Sequence, residues 1–163
     1  LDDIQYNKKN YQALRRKYIG YMFQFHYLLP EFTVFENLSL TLEIKKTSIL
    51  NKKETKELIC NTLSDFNVES KINYYPNQLS GGEKQRISLI RAVINNPVLV
   101  LADEPTGNLD SENANLLINQ IKEISEGKNI KFIIATHNKA FEKIANSIYN
   151  IENHTLVKKY YKY

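Results

Sequence analysis

Two apolar runs constrain this chain more than anything else in it: "VLVLA", Val98 to Ala102, and "IKFIIAT", Ile130 to Thr136. Each is continuous and bounded by turn formers, the pattern of a strand buried on both faces. Between them, Ser111 to Glu126 places Leu117, Ile121 and Ile124 on one side of a helix. Strand, helix, strand in that order predicts an α/β layer with parallel strands.

The rest of the chain builds around that unit. "YIGYMF", Tyr18 to Phe23, reads as a further strand after a short basic helical segment, Asn10 to Lys17, and Ser147 to Ile151 reads as a last strand. Gln24 to Pro30 loops out. Helical patterns cover Thr33 to Lys45 and Asn51 to Phe66, the second with a capped start at Asn51 and Glu54, and Lys139 to Asn146 is a shorter one. Residues 1–24 and 96–163 therefore form the α/β core, and residues 25–95 an inserted helical subdomain.

Composition narrows the class. A length of 163 residues suits one domain, and Cys60, the single cysteine, reads as a buried inert thiol in a reducing, cytoplasmic setting. The net charge of +4 comes from 22 basic against 18 acidic residues scattered along the chain, a solvated surface and not a nucleic-acid footprint. No run is long and apolar enough to cross a bilayer, and no basic-then-apolar leader opens the chain, so a membrane role goes through a partner. The chain opens on Leu1 and its only methionine is Met22, so its gene is expected to begin upstream. The closing "LVKKYYKY" reads as a terminal strand with a solvated tail and carries no site.

Chemistry concentrates in a few places. In "LSGGEKQRISLIRA" Ser80 and Glu83 have capping-box spacing, so a helix starts at Gly81, with Ile87, Ile90 and Ile94 on its packed side and Lys84, Gln85, Ser88 and Arg91 largely off it. Gly81 and Gly82 would let an anion, most naturally a phosphate, approach the free amides and the positive end of the helix dipole. Alone, this stretch fits an ordinary capped helix with a loose first turn equally well. "VLVLADEP" runs straight into Asp103 and Glu104, at the strand end where open α/β sheets bind ligands. Adjacent strand residues face opposite sides, so Asp103 suits a Mg²⁺ that bridges phosphates and Glu104 the general base that polarises water. His137 follows a strand in the same way, within reach of a γ-phosphate, and Gln24, after another, can offer an amide oxygen to Mg²⁺ or water. His26 and His154 have no such setting.

Together these pieces resemble the nucleotide-binding subunits of ATP-binding cassette transporters. "LSGGE" is similar to the family's signature loop, "VLVLADE" to its Walker B strand with the catalytic glutamate at Glu104, "GNLD", Gly107 to Asp110, to its D-loop, Gln24 to its Q-loop and His137 to its switch histidine. The resemblance covers nearly the whole chain in the right order. It implies a P-loop NTPase-like parallel sheet, here incomplete, with the helical insert; ATP and Mg²⁺ as cofactors; and Ser80, Gly81, Gly82, Glu83 and Asp110 together with Gln24 at nucleotide. It also implies a second ATPase subunit, membrane-spanning transporter subunits as partners, no nucleic acid, and a peripheral place on the cytoplasmic face of the bacterial inner membrane. "FQFHYLLPEFTVFENL" and "NNPVLVLADEPTGNLD" are most similar to the ATPases of lipoprotein-releasing transporters, with macrolide-export and cell-division ATPases as near relatives. Chromosome-maintenance and repair ATPases place a long coiled coil between Q-loop and signature, and the segment from Gln24 to Leu79 is poor in heptads.

One departure stands out. None of the five glycines begins G-x-x-x-x-G-K-[ST], the loop whose amides and lysine hold phosphates; in the family it lies upstream of the segment that begins here at Leu1. The expectations are that these 163 residues by themselves neither bind ATP tightly nor hydrolyse it. A third reading is thus a non-catalytic fragment or regulator. The sheet, short of a strand, would then expose apolar faces of "VLVLA" and "IKFIIA". Finally, Phe25, Leu28, Leu29, Phe32 and Phe35 either receive the membrane subunit or fill the helical subdomain's core.

Overall fold

Three parallel strands, β1 (Ile19–Met22), β2 (Leu99–Asp103) and β3 (Lys131–Ala135), form one sheet in that spatial order. They are seen in a computed structural model that describes residues 11–45 and 51–159. The helices are α1 (Tyr11–Tyr18), α2 (Val34–Lys45), α3 (Lys52–Asp65), α4 (Gly81–Val93) and α5 (Ser111–Gly127). An antiparallel hairpin, β4 (Ile148–Glu152) and β5 (Thr155–Lys159), closes the described chain. Asn10, at the start of the expected basic helix, and residues 160–163 of the tail lie outside the described residues. Between α3 and α4, Val68 to Gln78 holds two single 3-10 turns, and the helix expected over 139–146 is a 3-10 turn, Lys139–Lys143, capped by the Asn138 side chain.

Local chemistry accounts for the helix ends. Asn51 and Ser80 each complete a capping box, with Glu54 and Glu83, and Thr33 and Glu36 exchange the same pair of bonds at the head of α2. Asn67, Asn96 and Asn129, one or two residues past the caps of α3, α4 and α5, take left-handed backbone at φ 54°, 47° and 52°. Asparagine tolerates that conformation and stops each helix. The β4–β5 turn consists of Asn153 and His154 at φ 47° and 63°, the pair of positive values that a two-residue hairpin twist demands.

Register explains the sheet's burial. Gly20, Val100 and Phe132 stand side by side, as do Met22, Ala102 and Ile134, so one face is assembled from these six. That face is covered: Met22, Val100 and Ala102 are buried. The opposite face carries Tyr21, Leu101 and Ile133, and Ile133 is 61% exposed. Burial of both faces, expected from the apolar runs, is therefore corrected to one buried face. The exposure expected of the two runs is met at Val98 and Ile133, whereas Leu99 and Leu101 of β2 are half-buried and the Tyr21 hydroxyl of β1 accepts from Arg15 Nε of α1 at 3.2 Å.

α4 is the element on which the layers meet. It packs against β1, α2, α3 and α5, and the core runs through it without a break from Leu38 and Ile59 to Val100 and Leu117. The expectation of a helix packed on one side is corrected: Gln85 and Ser88 are buried along with Ile87, Leu89 and Ile90, since neighbours surround α4 on several flanks. Cys60 is half-buried on α3 and not enclosed.

Gly20 sets how near α4 can come. A Cβ built there would overlap the Ala92 carbonyl oxygen, a backbone atom that can yield only if the whole helix moves. Gly20→Val should therefore lower unfolding free energy by about 3 kcal/mol in urea titration. Gly127, at the end of α5 with open space where a Cβ would sit, is the control: Gly127→Ala should be neutral or stabilise by up to about 1 kcal/mol.

Candidate active site

Because all three strands run the same way, their carboxyl ends share one edge of the sheet. Asp103 ends β2, and Glu104 follows it. Gln24 comes two residues after β1, and Thr136 and His137 follow β3. The sequence-predicted residues Gln24, Asp103, Glu104 and His137 are thus brought to one edge by topology.

Glu104 is the most constrained of them. Its backbone takes φ 41°, left-handed and uncommon for a residue with a side chain, and its amide donates to Ala135 O at 2.8 Å, continuing the β2–β3 pairing into the turn. Its carboxylate reaches across to the end of β3. The Thr136 hydroxyl donates to Oε2 at 2.9 Å and the His137 amide to Oε1 at 2.9 Å. The His137 ring is fully exposed, with Nε2 3.7 Å from Glu104 Oε1. Asp103 is exposed at the strand tip.

Gln24 and Gly107 lie together. A Cβ at Gly107 would come 3.2 Å from Gln24 Nε2 and 3.4 Å from Glu104 O, and Asn108 Nδ2 donates to Gln24 O at 3.3 Å. The loop after β1 and the turn after Glu104 are thereby joined. Gln85 joins them again from below: 5% exposed on α4, its Nε2 donates to Phe23 O at 3.1 Å and Pro105 O at 2.8 Å. Arg91, one face further along α4, donates through its guanidinium to the carbonyls of Tyr27, at 2.6 Å, and His26. Burial, then the charges of Lys84 and Arg91, hold the His26 imidazole below its usual range, which suits its Nδ1 accepting the Leu28 amide at 3.2 Å.

The turn at the head of α4 divides its roles. Ser80 Oγ accepts the Glu83 amide at 3.2 Å; Glu83 Oε2 accepts the Ser80 amide at 2.8 Å, and its Oε1 lies 3.2 Å from Lys71 Nζ. The Ser80 amide, chiefly, holds the Glu83 carboxyl below the usual carboxylate range. Gly82 is buried, and a Cβ on it would overlap the Asn113 side chain, so α4 meets the head of α5 closely at this glycine. Gly81 has open space beside it. The first-turn amides of Gly81 and Gly82 have no intrahelical acceptor, as in any helix. Asp110 caps α5: its carboxylate accepts the Asn113 amide at 2.9 Å and side-chain amide at 2.7 Å, the first of these chiefly lowering its pKa.

Sequence reasoning missed Thr136, Asn138, Gln85, Asn113 and Arg91. Thr136 was visible as a hydroxyl residue beside His137 at a strand end; nothing in a polar residue's spacing shows that Gln85 is buried. The aromatic loop residues split. Leu28 is buried and Phe35 packs against the core, whereas Phe25 at 61%, Tyr27 at 62%, Leu29 and Phe32 are exposed. Phe23, Phe25 and Tyr27 stack edge to face, with centroids 5.4 Å and 6.4 Å apart. Beside them lies a cleft of about 650 Å³ lined by Arg15, Arg16, Tyr21, Tyr27, Ile44 and Arg91 among others.

The family profile described as ABC transporter matches residues 1–107. The lipoprotein-releasing system ATP-binding protein LolD of Buchnera aphidicola from Acyrthosiphon pisum is 45% identical over 85% of this chain and 59% of its own length. The protein of the same name from Zymomonas mobilis is 38% identical over 94% of this chain and 65% of its own. The chain thus spans about three fifths of the length of the curated relatives it matches. Among solved structures, a dimeric ATP-binding cassette in a post-hydrolysis state, bound to ADP and Pi, superposes with a TM-score of 0.85 at 29% identity, over 98% of this chain and 71% of that one.

Replacing Gln85 by leucine leaves the Phe23 and Pro105 carbonyls without their donor. Amides of residues 23–28 and 104–108 should then exchange about tenfold faster, equivalent to about 1.4 kcal/mol, while those of α3 keep their rates. Hydrogen-exchange mass spectrometry of the Gln85→Leu protein reads this directly.

Proposed function

The chain belongs to the ABC transporter family, and from that membership we propose that it serves as the ATP-hydrolysing subunit of a transporter that releases lipoproteins from the bacterial inner membrane. Relatives named for a lipoprotein-releasing system support the cargo. The observation that carries the chemistry is Glu104, a carboxylate at the end of the central strand, oriented by Thr136 and the His137 amide beside an exposed histidine.

In this reading Glu104 is the general base. It accepts a proton from water as the water oxygen bonds the γ-phosphorus and the bond to the leaving ADP oxygen breaks. His137, its ring free in solvent, donates a hydrogen bond to the γ-phosphate. Asp103 and Gln24, one carboxylate and one amide at the ends of neighbouring strands, fit Mg²⁺, which takes few protein oxygens and completes its shell with phosphate oxygens and water. Mg²⁺, when bound, neutralises charge on the β- and γ-phosphates.

Ser80, Gly81, Gly82 and Glu83, with Asp110 of the adjoining turn, serve the nucleotide of a second subunit, a reading supported by likeness to dimeric cassettes. Gly81 is the member with room for a phosphate. Residues 25–95 act as the helical subdomain that meets the membrane-spanning subunits, through Phe25, Tyr27 and Phe32 and the cleft beside them. Among the described residues no helix is long and apolar enough to cross a membrane. In this reading the subunit works as a peripheral one, at the cytoplasmic face.

Two measurements test the proposal. Glu104→Gln in the full-length protein keeps the side chain's size and removes the base, so steady-state ATP hydrolysis should fall by about 10²- to 10⁴-fold while ATP binding persists; turnover near that of the parent would exclude the role. Phe25→Glu and Phe32→Glu should abolish co-purification with the membrane subunits while thermal unfolding stays near that of the parent. Retained co-purification would return these residues to a purely structural part.

A further inference from the structure

Resting on Glu104 as the base, we propose that Thr136 is the positioning residue that fixes the Glu104 carboxylate. The Thr136 hydroxyl donates to Glu104 Oε2 at 2.9 Å, and its oxygen accepts the Asn138 amide at 3.0 Å. A hydroxyl carries one proton, so the amide on its lone pair leaves that proton to the carboxylate. The branched Cβ of threonine adds stiffness, since it restricts χ1 and with it the direction of the O–H.

Three ties hold Glu104 to the end of β3. Its amide donates to Ala135 O and its Oε1 accepts the His137 amide, both bonds to main chain that any residue at those positions would make. The Thr136 hydroxyl, by contrast, is a side-chain donor and depends on the residue type. Its own position is secured by Asn138, whose Nδ2 donates to the buried Thr106 Oγ1 at 3.1 Å and whose Oδ1 accepts the Ala140 amide at 2.9 Å. The turn holding Glu104 and the turn holding Thr136 are thus bolted together at both ends. A base must sit within hydrogen-bond reach of its water, and a glutamate left to its own rotamers spends only part of its time there.

The test compares Thr136→Val, which keeps the shape and removes the donor, with Thr136→Ser and Glu104→Gln in the full-length protein. Thr136→Val should lower kcat by about ten- to a hundredfold with KM for MgATP held within about twofold, and Thr136→Ser should recover most of the loss. In nucleotide-free protein the side-chain carboxyl ¹³C resonance of Glu104 should move in Thr136→Val and return in Thr136→Ser. An unchanged kcat or an unmoved resonance in Thr136→Val, beside a crippled Glu104→Gln, overturns the positioning role and leaves the base in place. A fully active Glu104→Gln overturns the base instead. Equal losses in the valine and serine variants assign the effect to packing and also overturn the proposal. Should Thr136→Val fail to fold, Thr136→Ala against Thr136→Ser supplies the same contrast.

Discussion

The close seat of α4 on the sheet is the constraint from which the rest of the structure follows. Gly20 lets the Ala92 carbonyl approach β1 where any side chain would hold it off. From that seat α4 extends in both directions: its head carries the Ser80 turn, Gln85 reaches the two loops that flank the candidate site, and Arg91 holds the carbonyls of the aromatic loop. Just past its end, Asn95 donates to Thr41 O of α2 at 2.8 Å. One helix thereby ties the signature-like turn, the strand-end loops and the helical layer to a common frame, and a displacement at any one of these would be felt along it.

A second constraint is the parallel register. Pairing Asp103 with Ala135 and Ala102 with Met22 brings three strand ends level, so side chains far apart in sequence share one rim. Glu104 shows what this costs. Its left-handed backbone is worth about 1–3 kcal/mol of strain, offset by the amide bond to Ala135 and the two bonds to its carboxylate.

Much of this was legible in the chain itself. The capping boxes at Asn51 and Ser80, the three strands and the strand-end placement of Gln24, Asp103, Glu104 and His137 all follow from spacing and periodicity, because these are local rules acting over a few residues. Burial was less legible. The apolar runs of β2 and β3 read as enclosed on both faces, yet Ile133 lies open, since an apolar run reports what a face tolerates and not which elements pack on it. Gln85 and Ser88 read as outward-facing, yet both are buried, because α4 has neighbours on several sides.

Local spacing thus determined where helices begin and end, which runs become strands, and which acids stand at strand ends: each depends on contacts within three or four residues or on the alternation of a single segment. Only the tertiary structure decided that Gly82 lies close against Asn113 while Gly81 stays open, and that Glu104 is held by Thr136. It also decided that Gln85 pins Phe23 and Pro105 together. Those partners lie 20 to 62 residues apart in the chain for Gln85 and 32 apart for Glu104 and Thr136. A hydrogen bond requires its two atoms within about 3 Å, and over such separations it is the packing of α4 and the register of the sheet that set this distance.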